Sequence, residues 1–132
     1  MKIEHLSGPD MPGSFLPFSP AVRVGDLLFV SGQASVDRGG QIVSGTFEEE
    51  MRRSLDNMRA ILAAAGSDLS QVIRTCNYVR DAVDLEAYNR IYRDYFAAPF
   101  PARTTITNCL HEHLKYEVDC IALAPGASAQ RT

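Results

Sequence analysis

The sequence predicts an α+β fold, a mixed β-sheet carrying two helices on one face, and three observations point to it. Residues 18–24 and 27–32 are largely apolar segments separated by Gly25-Asp26, a two-residue turn signal, and so read as a hairpin. Two stretches with apolar residues at helical spacing follow, one opening at Thr46 and one near Asp84. Residues 99–106 and 116–122 then return to the alternation of strands, with a connection short enough for antiparallel pairing. The order hairpin, helix, strand, helix, hairpin suits one sheet with both helices on a single face.

Each element has a local reason. Residues 1–6 suit a short edge strand or arm, which the turn residues of 7–13 interrupt, so that residues 1–16 form an N-terminal extension. Pro20 lacks a backbone donor and places the first hairpin strand at an edge or a bulge. Thr46-Phe47-Glu48-Glu49 is a capping box, and Met51, Leu55, Met58, Ile61, Leu62 and Ala65 continue from it as an apolar stripe until Gly66. Residues 71–79 alternate as a strand, with Ile73 and Val79 assigned to one side and Cys76 and Tyr78 to the other. The second helix carries Leu85, Tyr88, Ile91, Tyr92, Tyr95 and Phe96, and Pro99 and Pro101 forbid its continuation. Residues 125–132 are small and polar and read as a flexible tail.

Composition narrows the function. With 132 residues the chain suits one domain, 1–132, with one core. A formal net charge of −3 without any run of Lys or Arg provides no field favouring nucleic acid or an anionic membrane, so a small molecule is the expected partner. Cys76, Cys109 and Cys120 fit neither a zinc spacing nor a disulfide framework. With no apolar run long enough to span a bilayer and no signal-type N-terminus, the expectation is a reduced, soluble, cytoplasmic protein.

Strand alternation supplies the candidate site. In the last strand pair, Arg103, Thr105 and Thr107 share one face of the first strand, and Glu117, Asp119 and Ile121 share one face of the second. A hairpin would set cation and carboxylate on one surface, away from the apolar Val118, Cys120 and Ala122. Arg103 fits a two-pronged carboxylate grip or an ordinary surface ion pair, and Glu117 a general base or a solvated carboxylate. Ser31-Gly32-Gln33 ends the second strand with a glycine that admits close approach of a backbone or ligand. His111-Glu112-His113 lacks the helical spacing of a metal motif, and the tyrosines of the second helix suit core packing better than a stacking platform. Because Ile121 and Leu123 share the face of Glu117, that surface is partly apolar and without a helix to cover it. Association through it would put Arg103 and Glu117 in a cleft between subunits.

Phe100-Pro101-Ala102-Arg103-Thr104-Thr105, Tyr116-Glu117-Val118-Asp119-Cys120-Ile121-Ala122, Val30-Ser31-Gly32-Gln33 and Ser54-Leu55-Asp56-Asn57-Met58 together resemble the Rid family (reactive intermediate deaminase, YjgF-like). The resemblance implies a chorismate-mutase-like domain in a homotrimer whose sheets form a central barrel with ligand clefts between subunits. It further implies hydrolysis of 2-imino acids or their enamine tautomers, of the 2-aminoacrylate type, to 2-keto acids and ammonia, without metal or organic cofactor. Arg103 corresponds to the carboxylate-binding arginine and Glu117 to the glutamate that positions water. Ser31, Gly32, Asn89, Phe18 and Thr105 correspond to residues lining the cleft, although the archetype has tyrosine at Phe18 and cysteine at Thr105. The loop at His111-Glu112-His113 also departs from the family's usual Leu-Pro pattern. An aminomuconate-type enamine as substrate, a non-catalytic small-carboxylate binding protein, and the RNA-cleaving activity ascribed to some relatives are the alternatives, the last disfavoured by the acidic balance.

Overall fold

A computed structural model describes residues 1–9, 11 and 16–127. Six strands and two helices occur in the order β1 (Ile3–Leu6), β2 (Ala21–Val24), β3 (Leu27–Ala34), α1 (Phe47–Ala64), β4 (Val72–Val79), α2 (Leu85–Tyr95), β5 (Ala102–Thr107) and β6 (Tyr116–Leu123). They build one mixed sheet of order β1-β2-β3-β6-β4-β5, in which only the β4–β5 pairing is parallel. Both helices cover the same face: the β6 ring of Tyr116 meets Phe47 of α1 and Tyr88 of α2, each at 6.1 Å between centroids. Among the described residues no helix is long and apolar enough to cross a membrane.

Local signals set most of these elements. Gly25 turns the β2–β3 hairpin at φ +57°, where a side chain would be strained. Thr46 and Glu49 form the reciprocal capping box at the start of α1, and Met51, Leu55, Met58, Ile61 and Leu62 are fully buried beneath it. β1 is the edge strand expected for the N-terminus, whereas β2 begins only at Ala21. The Pro20 carbonyl accepts from the Ser31 amide at 3.0 Å, at a bulge where β3 also loses register with β6 between Val30 and Gln33. Within β4, a shift between Val72 and Arg74 buries Val72 on the same face as Val79 and leaves Ile73 exposed, reversing the assignment of Ile73. Asp10, Pro12 and Gly13 of the expected turn and residues 128–132 of the expected tail lie outside the described residues, while 125–127 close a turn onto Ala124.

The last strand pair is where the fold departs from expectation. β5 and β6 do not form a hairpin: β6 inserts between β3 and β4, and β5 lies parallel to β4 at the sheet edge. The connection 108–115 passes over the end of β4, with Asn108 donating to the Arg80 carbonyl and Arg80 to the Lys115 carbonyl, both at 3.1 Å. Burial explains the exchange. Tyr116, Val118, Cys120 and Ala122 of β6 are all buried and suit a central strand, whereas β5 is rich in threonine and has an exposed Ile106. α2 meanwhile provides the long crossover that a parallel β4–β5 pair requires.

A buried ion pair fixes the start of β6. Glu50 of α1 is fully buried; its carboxylate accepts from the Lys115 ammonium at 3.0 Å, the Lys115 amide at 3.1 Å and the Gly45 amide at 3.2 Å. Lys115 also donates to the Gly45 carbonyl at 2.6 Å. Removing one partner of a buried pair leaves the other uncompensated, so Glu50→Ala is expected to destabilise the protein by about 3 kcal/mol or more. A shift in urea midpoint measures this, and a loss below about 1 kcal/mol would assign the pair to an exposed class instead.

Candidate active site

Because β5 pairs with β4, Arg103 stands opposite Thr75 and Thr105 opposite Asn77, on the helix-covered face. Glu117 stands opposite Tyr78 and Ala34, on the open face with Asp119, Ile121 and Leu123. The expectation that Arg103 and Glu117 share a surface is therefore corrected: within one chain they point to opposite sides of the sheet. β4 lies between their strands, so their backbones are about 10 Å apart across the sheet alone.

The Arg103 half rests on α2. Its guanidinium lies over the rings of Tyr88 and Tyr92, 4.8 Å from each centroid, and Nη2 donates to Asn89 Oδ1 at 2.8 Å. Both rings are fixed by their hydroxyls, Tyr92 with Thr75 Oγ1 and Tyr88 with Thr105 Oγ1, each at 2.7 Å. Burial pushes the Tyr88 phenol up to about 12 and raises that of Tyr92, so both rings stay neutral beneath the cation. No carboxylate among the described residues pairs with Arg103. A hollow of about 240 Å³ opens beside it, lined by Asn89, Tyr92, Arg93, Phe100, Pro101 and Arg103.

The Glu117 half lies against the β3 bulge. A Cβ at Gly32 would fall 2.9 Å from Glu117 Oε2, so any side chain there would displace the carboxylate. Ser31 donates from Oγ to the Ser19 carbonyl at 2.5 Å and accepts at its own carbonyl from Gln33 Nε2 at 3.0 Å. Phe18, the residue before Ser19, is exposed. Burial raises the Glu117 pKa above its ordinary value, Asp119 adds to the rise, and His111 opposes it. The connection between β5 and β6 thus brings His111 into the electrostatic surroundings of this carboxylate. The amide of His113 donates to His111 Nδ1 at 3.1 Å.

Seven residues singled out by sequence thus form two groups: Arg103, Thr105 and Asn89 on the α2 side, and Glu117, Gly32, Ser31 and Phe18 on or beside the open face. Sequence reasoning missed the shelf beneath Arg103. Tyr88 and Tyr92 were assigned to the core, and they are buried there, but their faces also carry the arginine. Their spacing of four residues around Asn89 was the available signal, since it sets all three on one side of a helix. Arg93 gave no such signal.

The family model described as endoribonuclease L-PSP matches residues 9–124. The chain is 39% identical over 121 residues to the RutC family protein y4sK of Sinorhizobium fredii, covering 90% of this chain and 96% of that one. It is 37% identical over 120 residues to the human 2-iminobutanoate/2-iminopropanoate deaminase, covering 89% and 88% respectively. The crystal structure of E. coli TdcF with bound serine superposes with a TM-score of 0.80 at 28% identity, covering 91% of this chain and 98% of that one. With a model match over nearly its whole length and relatives of this identity, the chain belongs to the Rid (YjgF-like) family.

Proposed function

We propose that this chain hydrolyses 2-imino acids and their enamine tautomers, of the 2-aminoacrylate type, to 2-keto acids and ammonia, in a cleft formed by two copies of the chain within a homotrimer. The observation that carries the reading is Arg103. Its guanidinium is seated over two neutral rings and held by Asn89, with no acid partner among the described residues, which leaves a planar fork ready for a substrate carboxylate. The deaminase name of the human relative and the serine held by the TdcF structure both support a small substrate bearing a carboxylate and a nitrogen. The family model's endoribonuclease description has no such support, since a net charge of −3 gives a polyanion no attraction.

Two chains are needed because a small substrate cannot touch Arg103 and Glu117 through the sheet of one. The open face supplies the means of association. Phe29, 41% exposed, lies there opposite the half-buried Ile121, and Ile106, 43% exposed, lies on the same face at the β5 edge. Packing this face of one chain near the β5 edge of the next brings Glu117 of one copy to Arg103 of another, and cyclic closure satisfies every copy equally.

In this cleft Arg103 holds the carboxylate and thereby fixes the C=N carbon near Glu117. Ionised Glu117 takes a proton from water as the water oxygen bonds to that carbon and the C=N π pair moves to nitrogen. The protonated carboxyl then returns the proton to nitrogen, giving a neutral carbinolamine. Glu117 next takes the hydroxyl proton and delivers it to nitrogen as the C=O bond forms and the C–N bond breaks, so ammonia leaves and the keto acid remains. Imine plus water gives ketone plus ammonia, so the step needs no external oxidant or reductant. The raised pKa of Glu117 suits the alternation of base and acid. Asn89 and Thr105 act through Arg103 and Tyr88, and Ser31, Gly32 and Phe18 shape the wall around Glu117.

Arg103→Lys replaces the fork with a point charge and is expected to weaken binding of a 2-keto acid roughly thirtyfold, corresponding to about 2 kcal/mol. Glu117→Gln is expected to lower turnover on freshly generated 2-aminoacrylate by about a hundredfold while the keto-acid dissociation constant changes little. Near-wild-type turnover in Glu117→Gln contradicts the mechanism, and saturable binding without keto-acid release in the native protein identifies a binding protein instead. Since the ionised carboxylate is the base and its pKa is raised, the acid limb of kcat should fall with a midpoint above the ordinary carboxylate value of 4.5. A limb centred at or below that value would place Glu117 outside the rate-determining proton transfer.

A further inference from the structure

The hollow beside Arg103 has a second cation that the proposed reaction does not use. Arg93 lies one turn beyond Asn89 on α2, and both line this hollow together with Arg103. The Arg93 guanidinium donates from Nη1 to the Asn89 carbonyl at 3.3 Å, which folds the side chain back along the helix toward the residue that holds Arg103. Neighbouring arginines differ: Arg90 is paired with Glu48, and Arg52 with Glu48 and Asp94. Arg93 has no carboxylate partner among the described residues, and none of the described residues of its own chain that line the hollow is acidic.

Two like charges bordering one small hollow repel each other, and a dianion relieves that repulsion where a monoanion satisfies only one of them. Phe100 and Pro101 complete the wall with apolar surface suited to a short methylene chain. A volume of about 240 Å³ lies below the usual range for drug-sized ligands and suits a short acid. The geometry points to a specificity subsite in which Arg93 binds a second, distal carboxylate, so that the preferred substrates are 2-imino or enamine acids carrying two carboxylates. This rests on the assignment of Arg103 as the anchor of the first carboxylate.

The test compares stable product analogues by calorimetry: 2-oxoglutarate against 2-oxopentanoate, and 2-oxoadipate against 2-oxohexanoate, pairs matched in chain length. At least one dicarboxylate is expected to bind about tenfold or more tightly than its partner at low salt. Arg93→Gln should bring that ratio close to one, and Arg93→Lys should retain part of it. A ratio near one in the native protein, or an unchanged ratio in Arg93→Gln, overturns the subsite. The Arg103→Lys variant separates this failure from failure of the anchor. If it weakens monocarboxylate binding while the dicarboxylate ratio is absent, only the subsite is wrong; if monocarboxylate binding is insensitive to it, the anchor is wrong as well.

Discussion

The central position of β6 is the constraint on which the rest of the structure depends. Its alternate residues Tyr116, Val118, Cys120 and Ala122 must be buried beneath two helices, and the intervening Glu117, Asp119 and Ile121 must then face the other way. A shift of one residue would bury two carboxylates, which is why the register is so strongly specified. Glu50 and Lys115 pin the chain at the residue before β6, two ahead of Glu117. With β6 in the centre, β5 is left to the edge and Arg103 is turned onto α2.

The two halves of the candidate site are prepared by different physics. Arg103 gains its position from contacts that do not neutralise it: two aromatic faces and one amide oxygen orient the cation and leave its charge available. Glu117 gains its properties from burial beside a bulge, where Gly32 leaves room for the carboxylate. Neither half has both binding and proton-transfer chemistry. Their placement on opposite faces makes self-association part of the proposed active site as well as a cover for exposed apolar side chains.

Much of the fold was legible because local chemistry reported it. The capping box at Thr46, the turn at Gly25-Asp26 and the prolines after Phe96 each act within a few residues of their cause. Strand pairing was not legible in the same way. Two strands separated by a short connection favour a hairpin, and only the competition for the buried centre of the sheet assigns β6 there and β5 to the edge. That error carried into the site, since a residue's face depends on its pairing as well as its alternation. Arg103 and Glu117 were recognisable from the motifs around them, but their separation was not. Tyr88 and Tyr92 show the complementary limit: an apolar stripe signals burial and is silent about what lies on the exposed edge of the buried rings.

The claim that one active site takes Arg103 from one chain and Glu117 from another is tested most directly by subunit mixing. Arg103→Lys and Glu117→Gln proteins would be co-assembled in equal amounts and assayed for imine hydrolysis at substrate well below KM. There the first is limited by weakened binding and the second by slow turnover. In a cyclic assembly with random assortment, half of the chains carry native Arg103 and half carry native Glu117, so about a quarter of the clefts regain both native residues. Recovery to about that fraction of native activity is the predicted result. Activity no greater than the mean of the two separate variants would contradict the shared cleft.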